Sequence, residues 1–214
     1  MYKRDKGTHL FIEGEYSIPE FEYLRNNTWL YTEKLDGTNI RVQWDPCPEG
    51  DSDSNRRLMF RGRTDNAQMY PGMLERLEEL FAIETFDELY PETPLCLYGE
   101  GIGAHVQKGG GRYIHDGVDF VLFDVLVGRW WLRREDVAKF AKSLNINIAP
   151  IVGRGTLLAA VELIKRQDFT SSWGDFLLEG FVLRPIVELQ NRGGKRIITK
   201  VKHKDFPLQD EVEE

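Results

Sequence analysis

The chain has 214 residues, 41% hydrophobic and 29% charged, which is enough for one domain, or one large and one very small, with a core of its own. That composition excludes collagen, coiled coils and wholesale disorder, and no apolar run approaches the roughly 20 residues of a membrane span. With 28 Lys and Arg against 35 Asp and Glu the net charge is −7, so any nucleic-acid role must rest on a local basic site.

The first six residues are basic but no apolar stretch follows them, so no signal peptide is expected. Residues 29–33 and 40–44 carry strand-like patterns, the second with polar and apolar residues alternating from Thr38 onward. Between them lies Lys34-Leu35-Asp36-Gly37, and Asp-Gly is a strong hairpin signal. Residues 45–55, rich in Pro, Asp, Ser and Gly, read as a surface loop joining that strand to another over 58–61. Met73, Leu74, Leu77, Leu80 and Phe81 recur at helical spacing. Strands are expected over 95–99 and 119–127. In the second, Phe120, Leu122 and Asp124 should share one face and Val121, Phe123 and Val125 the other. Helices follow over 134–144 and 156–166, with Thr156 as the cap of the latter and Gly153 and Gly155 loosening its entry. The last strands are expected over 177–184 and 196–202. Strands and helices are interspersed without regular alternation. The expected class is α+β, with largely antiparallel sheets and flanking helices. Cys47 and Cys96 make no disulfide framework or metal quartet and read as free thiols in a reducing, cytoplasmic setting.

Five segments carry chemistry. Lys34 stands at a strand end, where partial burial and nearby cations would free its lone pair; an exposed hairpin lysine is the alternative. Gly99-Glu100-Gly101-Ile102-Gly103 puts a carboxylate inside a glycine-rich bend. It imitates a dinucleotide fingerprint but no amphipathic helix follows, so that reading is rejected. Lys108 and Arg112 on the following loop suit phosphate contacts, or a merely solvated loop. The 119–126 run is a core strand by default, and one of its phenyl rings could floor a nucleobase pocket. Glu179 interrupts an apolar strand, where a carboxylate needs a lysine partner or a metal. Finally, residues 192–204 hold six Lys and Arg and no acid, and strand alternation would put Lys200, Lys202 and Lys204 on one face.

Each signal is weak singly, but their order is specific. Lys-x-Asp-Gly-x-Asn, Gly-Glu-Gly, an aromatic-acid strand, Glu-Gly-Phe-Val and Lys-x-Lys, from Thr32 to Phe206, resemble the motif series of covalent nucleotidyltransferases. That superfamily holds ATP-dependent DNA ligases, RNA ligases and mRNA capping guanylyltransferases. Glu33-Lys34-x-Asp36-Gly37-Thr38-Asn39, Arg61-Gly62-Arg63-Thr64, Gln107-Lys108 and residues 200–206 are similar to the RNA ligase 2 type. The resemblance implies a nucleotidyltransferase (adenylation) domain over residues 1–206, with 207–214 as an acidic tail. It also implies roles. Lys34 would attack the α-phosphate of ATP, and Lys200 and Lys202 would neutralise that phosphate. Glu100 would accept from the ribose hydroxyls and Phe120 would stack on adenine. Glu33 would help read the adenine. Asn39 and Arg63 would contact the sugar or the 5′-phosphate of the polynucleotide. Glu179 would hold Mg²⁺ or Mn²⁺. Lys108, Arg112 and Lys204 would meet nucleic acid. The partner so implied is RNA with 5′-phosphate and 3′-hydroxyl ends, including a nicked duplex.

The family commonly appends an OB-fold or a helical module after Lys-x-Lys, and the 205–214 stretch here is too short for either. A minimal single-domain ligase is therefore expected, without an OB-fold, or one that borrows the absent C-terminal module from a partner. The alternatives are a DNA ligase, a capping-type guanylyltransferase, or a non-catalytic nucleotide- or RNA-end-binding module.

Overall fold

The computed structural model describes residues 1–46, 58–167 and 169–207. Most of the expected 45–55 loop, with Cys47, and the acidic tail past residue 207 lie outside the described residues. The chain divides into two compact units, Met1–Leu35 with Pro150–Glu214, and Asp36–Ala149.

The first unit is built on an antiparallel sheet in the order β10-β3-β11-β12. Its strands are β3 (Trp29–Glu33), β10 (Ile151–Gly155), β11 (Gly180–Pro185) and β12 (Thr199–Lys202). Trp29, Tyr31, Phe181, Leu183 and Val201 share one core with Leu157, Ala160, Val161 and Ile164 of helix α5 (Leu157–Arg166). The Tyr31 and Phe181 rings stack at 5.6 Å. Thr156 caps α5 as expected, its hydroxyl accepting from the Ala159 amide at 3.1 Å. Lys165 and Arg166 complement the other end of the helix dipole. Gly153 and Gly155 do not loosen the helix entry; they belong to β10. A Cβ on Gly155 would stand 2.5 Å from the Tyr31 hydroxyl, so the glycine makes room for that ring. A small antiparallel pair, β1 (Tyr2–Arg4) and β2 (Phe11–Tyr16), and helix α1 (Pro19–Tyr23) add Tyr2, Phe11 and Phe21 to the core.

The second unit carries a six-stranded sheet, ordered β5-β4-β6-β7-β8, with β9 paired to β7. The strands are β4 (Thr38–Trp44), β5 (Leu58–Arg61), β6 (Leu95–Gly103), β7 (Val118–Val127), β8 (Trp130–Trp131) and β9 (Asn147–Ile148). Among the described residues only the β7–β9 pair is parallel. Helices α2 (Pro71–Leu80), α3 (Ile83–Leu89) and α4 (Arg134–Ser143) supply Met73, Leu77, Phe86, Val137 and Phe140 to the core, with Ile40, Val42, Trp44 and Leu97 from the sheet. The class is thus the expected mixture of antiparallel sheets with few helices.

Three local expectations change. The Asp36-Gly37 turn closes no hairpin, because β3 and β4 lie in different sheets and the backbone passes from one unit to the other at Leu35–Asp36. Gly37 is needed for close approach instead: a Cβ there would sit 2.1 Å from the Gly101 carbonyl oxygen. Secondly, β7 does not alternate evenly. A bulge pairs Leu122 with Gly99 and Asp124 with Tyr98, leaving Phe123 between them. The extra residue flips the strand, so Val125 joins Phe120 and Leu122 in the core and Asp124 leaves their face. Thirdly, β12 ends at Lys202 and a 3₁₀ turn over His203–Asp205 follows, so Lys204 leaves the lysine face.

Phe120 is fully buried, edge-on to Phe81 at 5.4 Å and against Gly99. Phe120→Ala is therefore expected to cost about 3–5 kcal/mol of stability through the cavity it leaves, read by urea unfolding. An unchanged unfolding midpoint would show that the ring is not a core element.

Candidate active site

Strand alternation sorts the chemistry of the first unit. Tyr31 and Glu33 share the core side of β3, since Glu33 pairs with Phe181. Thr32 pairs with Val182 on the other side, and the Lys34 amide extends the ladder by donating to the Gly180 carbonyl at 2.9 Å. Lys200 and Lys202 pair with Val182 and Gly180, so both lysines stand on that same face. Gly180 lets the two strands close: a Cβ there would lie 2.1 Å from the Val201 carbonyl oxygen.

Glu179 joins these lysines. One carboxylate oxygen accepts from the Lys34 ammonium and the other from Lys202, in two short ion pairs. Lys34 Nζ also donates to the Leu35 carbonyl at 3.2 Å. The three side chains are only 13–17% exposed, so their attraction is screened less than that of surface pairs. Burial pushes the Glu179 carboxyl upward, but hydrogen bonds from Lys202 and Lys34 outweigh it and hold the group below its ordinary range. Lys200 is exposed on the same face, and Lys204 is exposed on the following turn. Arg196, also from the basic segment, is held by both oxygens of Glu188 at 2.9–3.1 Å.

Glu33 is buried on the core side of its strand. It is 2% exposed, and its two oxygens accept from the Ser171 hydroxyl and, at 2.9 Å, the Ser172 amide.

The second unit braces the turn that follows the lysine. The Gly37 amide donates to Glu100 Oε1 at 3.2 Å, and the Asp36 amide donates to the Tyr113 hydroxyl at 3.0 Å. Gln107 donates to the Gly37 carbonyl at 3.3 Å, and Arg112 pairs with Asp36 at 3.4 Å while lying over the Tyr113 ring. Asn39 pairs in register with Glu100, so those two side chains share a face. Val121 sits opposite Glu100 on that face. Arg63 is exposed on the bend after β5, whereas Arg41 and Arg61 both engage Asp65, at 2.6 and 3.5 Å. The Arg41 hydrogen bond, then the Arg61 charge, hold the Asp65 carboxyl low. Lys108 is exposed on the loop before Tyr113.

Phe120, spent on the core, presents no free ring face. Phe123, freed by the bulge, is half-buried and outside the core cluster, which makes it the better placed phenyl ring. The bulge leaves no mark in a run of apolar residues, so sequence alternation does not show it. Tyr113 was also missed, since a tyrosine in a glycine-rich loop carries no signal until its hydroxyl is seen on the Asp36 amide.

The sequence profile of the RNA ligase family matches residues 27–202, most of the chain. The chain belongs to the RNA ligase family. No curated protein sequence matches it. Its fold is similar to that of an RNA ligase from Naegleria gruberi. A mutant of that protein with ATP and Mn matches with a TM-score of 0.65 and 22% identity, over 88% of this chain and 54% of the other. Its form with pyrophosphate matches at 0.63 and 22%, over 86% and 52%. A mutant with AMP and Mn matches at 0.63 and 20%, over 86% and 52%. The chain thus spans about half the length of the solved structures it resembles. Among its described residues no helix is long and apolar enough to cross a membrane.

Two outcomes test the geometry. The depressed Glu179 pKa means that its contribution is complete above the unfolded-state value and is lost as pH falls through the lower folded one. Glu179→Gln should therefore cost about 1–3 kcal/mol at pH 7. The deficit should shrink toward pH 3 in urea melts, and a deficit constant with pH would refute the ion-pair account. Gly37→Ala forces the backbone off Gly101 and should cost roughly 1–3 kcal/mol in thermal unfolding.

Proposed function

We propose that this chain is an ATP-dependent RNA ligase acting through its nucleotidyltransferase (adenylation) domain, residues 1–206, to join 5′-phosphate and 3′-hydroxyl ends. The observation that carries this reading is the Lys34–Glu179–Lys202 cluster, in a chain of the RNA ligase family.

The reaction has three transfers. The Lys34 ammonium gives up a proton to solvent, and the free amine attacks the α-phosphorus of ATP. The bond to the β-phosphate oxygen breaks, pyrophosphate leaves, and the nitrogen sheds a second proton to solvent as lysyl-AMP forms. An oxygen of the RNA 5′-phosphate then takes the AMP from Lys34. Attack by the 3′-hydroxyl on that phosphate closes the phosphodiester and releases AMP. Such transfers depend on positioning and on neutralising charge. Lys200 and Lys202 supply positive charge on the face that bears Lys34. Glu100 takes the ribose hydroxyls, with Asn39 beside it in register. Arg63, Lys108 and Lys204 are exposed cations suited to the phosphates of the polynucleotide. Arg112 is given instead to bracing Asp36. Phe123 rather than Phe120 takes the stacking role on adenine.

A divalent metal fits this donor set in one way. Among the described residues no three His, Cys, Asp or Glu side chains gather to hold an ion. Mg²⁺ needs only one or two carboxylates beside water and substrate phosphates, and Glu179 would serve as that carboxylate through the lone pairs its lysine partners leave over, or through water. When bound, the metal supplies charge neutralisation at the phosphates.

The test is intact-protein mass after incubation with ATP and Mg²⁺, on protein first stripped of AMP with pyrophosphate. A gain of about 329 Da in the wild type, absent in Lys34→Ala, is the expected covalent AMP. No gain would sink the ligase reading.

A further inference from the structure

Glu33 is a buried carboxylate directly before the nucleophilic lysine, and the chemistry above does not use it. An ionised carboxylate at 2% exposure is costly unless both oxygens are satisfied. Both are satisfied, by groups far away in sequence: the Ser171 hydroxyl and the Ser172 amide. The Ser171 oxygen in turn accepts from the Trp173 amide at 3.1 Å while its proton goes to Glu33.

These contacts fix a short hairpin. Thr170 bridges Leu177, the Ser171 amide donates to the Phe176 carbonyl at 2.8 Å, and the Leu178 amide donates to Phe169 at 3.2 Å. Phe169 anchors one end edge-on to Phe181 at 5.5 Å. The residue leaving this hairpin is Glu179, whose carboxylate spans Lys34 and Lys202. Ser171 and Glu179 thus hang on two consecutive residues of one strand end, Glu33 through its carboxylate and Lys34 through its ammonium.

Taking Lys34 as the nucleophile proposed above, we propose that Glu33 is a positioning residue. It tethers the 169–178 hairpin so that Glu179 is delivered to Lys34 and Lys202, and it does not read the adenine. The charge of the carboxylate strengthens both bonds of this tether. A glutamine could accept from the Ser172 N–H but would turn its NH2 toward the Ser171 oxygen, and it would lose the charge that strengthens both bonds.

The test uses Glu33→Gln, Ser171→Ala and the hydroxyl-preserving Ser171→Thr. The first readout is amide hydrogen exchange over 170–178 in nucleotide-free protein. The second is the rate of lysyl-AMP formation against ATP and GTP concentration. Glu33→Gln and Ser171→Ala should speed exchange of the Ser172 amide and lower the saturating rate by about ten- to a hundredfold, as misplacement does. The KM for ATP and the ATP-over-GTP preference should stay within about twofold. Ser171→Thr should restore both readouts, which a generally damaged fold would not allow. A raised KM or lost ATP preference with unchanged exchange would overturn the proposal in favour of base reading. Variants with unaltered rates in a wild-type background that forms the adduct would overturn it alone. A wild type that forms no adduct overturns the nucleophile assignment and the proposal with it, while exchange separately reports whether the tether exists.

Discussion

Two ammonium groups on one face of a sheet repel each other, and the first unit is organised around the carboxylate that relieves this. Glu179 reaches both Lys34 and Lys202, one oxygen to each, in a setting dry enough for the attraction to matter. The backbone serves the same end. Gly180, directly after the carboxylate, has no Cβ to hold β11 off β12, so the strand carrying Lys202 comes close. On the opposite face Phe181, Leu183 and Val201 bury against α5, which makes the register costly to change. A slip of one residue would turn the lysines into the core.

The second unit meets a different demand, holding an irregular segment rigid. Residues 36 and 37 leave β3 and have not yet entered β4, so the sheets do not satisfy their polar groups. Glu100, Tyr113 and Gln107 satisfy them instead, and Arg112 balances Asp36. Glycines at 37, 99 and 101 are spaces for neighbours: the Gly101 carbonyl, the Phe120 ring, and the Ile40 and Met73 side chains. The glycine-rich pattern that imitates a dinucleotide loop is therefore a packing pattern. The strand simply continues through it to Gly103.

Most of what sequence reading missed lies where a long-range contact decides a local outcome. Lys34, Glu179 and Lys202 were legible because ionised side chains in apolar strands need partners, and their order matched a known series. The partners themselves were not legible, since Lys34 and Glu179 are 145 residues apart. Phe120 and Phe123 could not be told apart, because only the paired strand reveals the bulge. Glu33 looked available to a ligand because its tether, Ser171, is an ordinary serine 138 positions away. The short strands β1, β8 and β9 carry little periodicity and exist through their pairing alone.

By itself the sequence determined the mixed α+β class, the capped helix at Thr156, the antiparallel preference and the identity of the charged groups that need partners. Those are consequences of side-chain period and of the cost of burying charge, both local properties. Tertiary structure decided which face each side chain takes after the β7 bulge, and that the Asp36-Gly37 turn carries the chain from one unit to the other. It also decided that the Glu33 carboxylate accepts from Ser171 and Ser172. Each of these depends on which strand lies alongside, and pairing between distant segments is set by the packing of whole sheets rather than by neighbours in the chain.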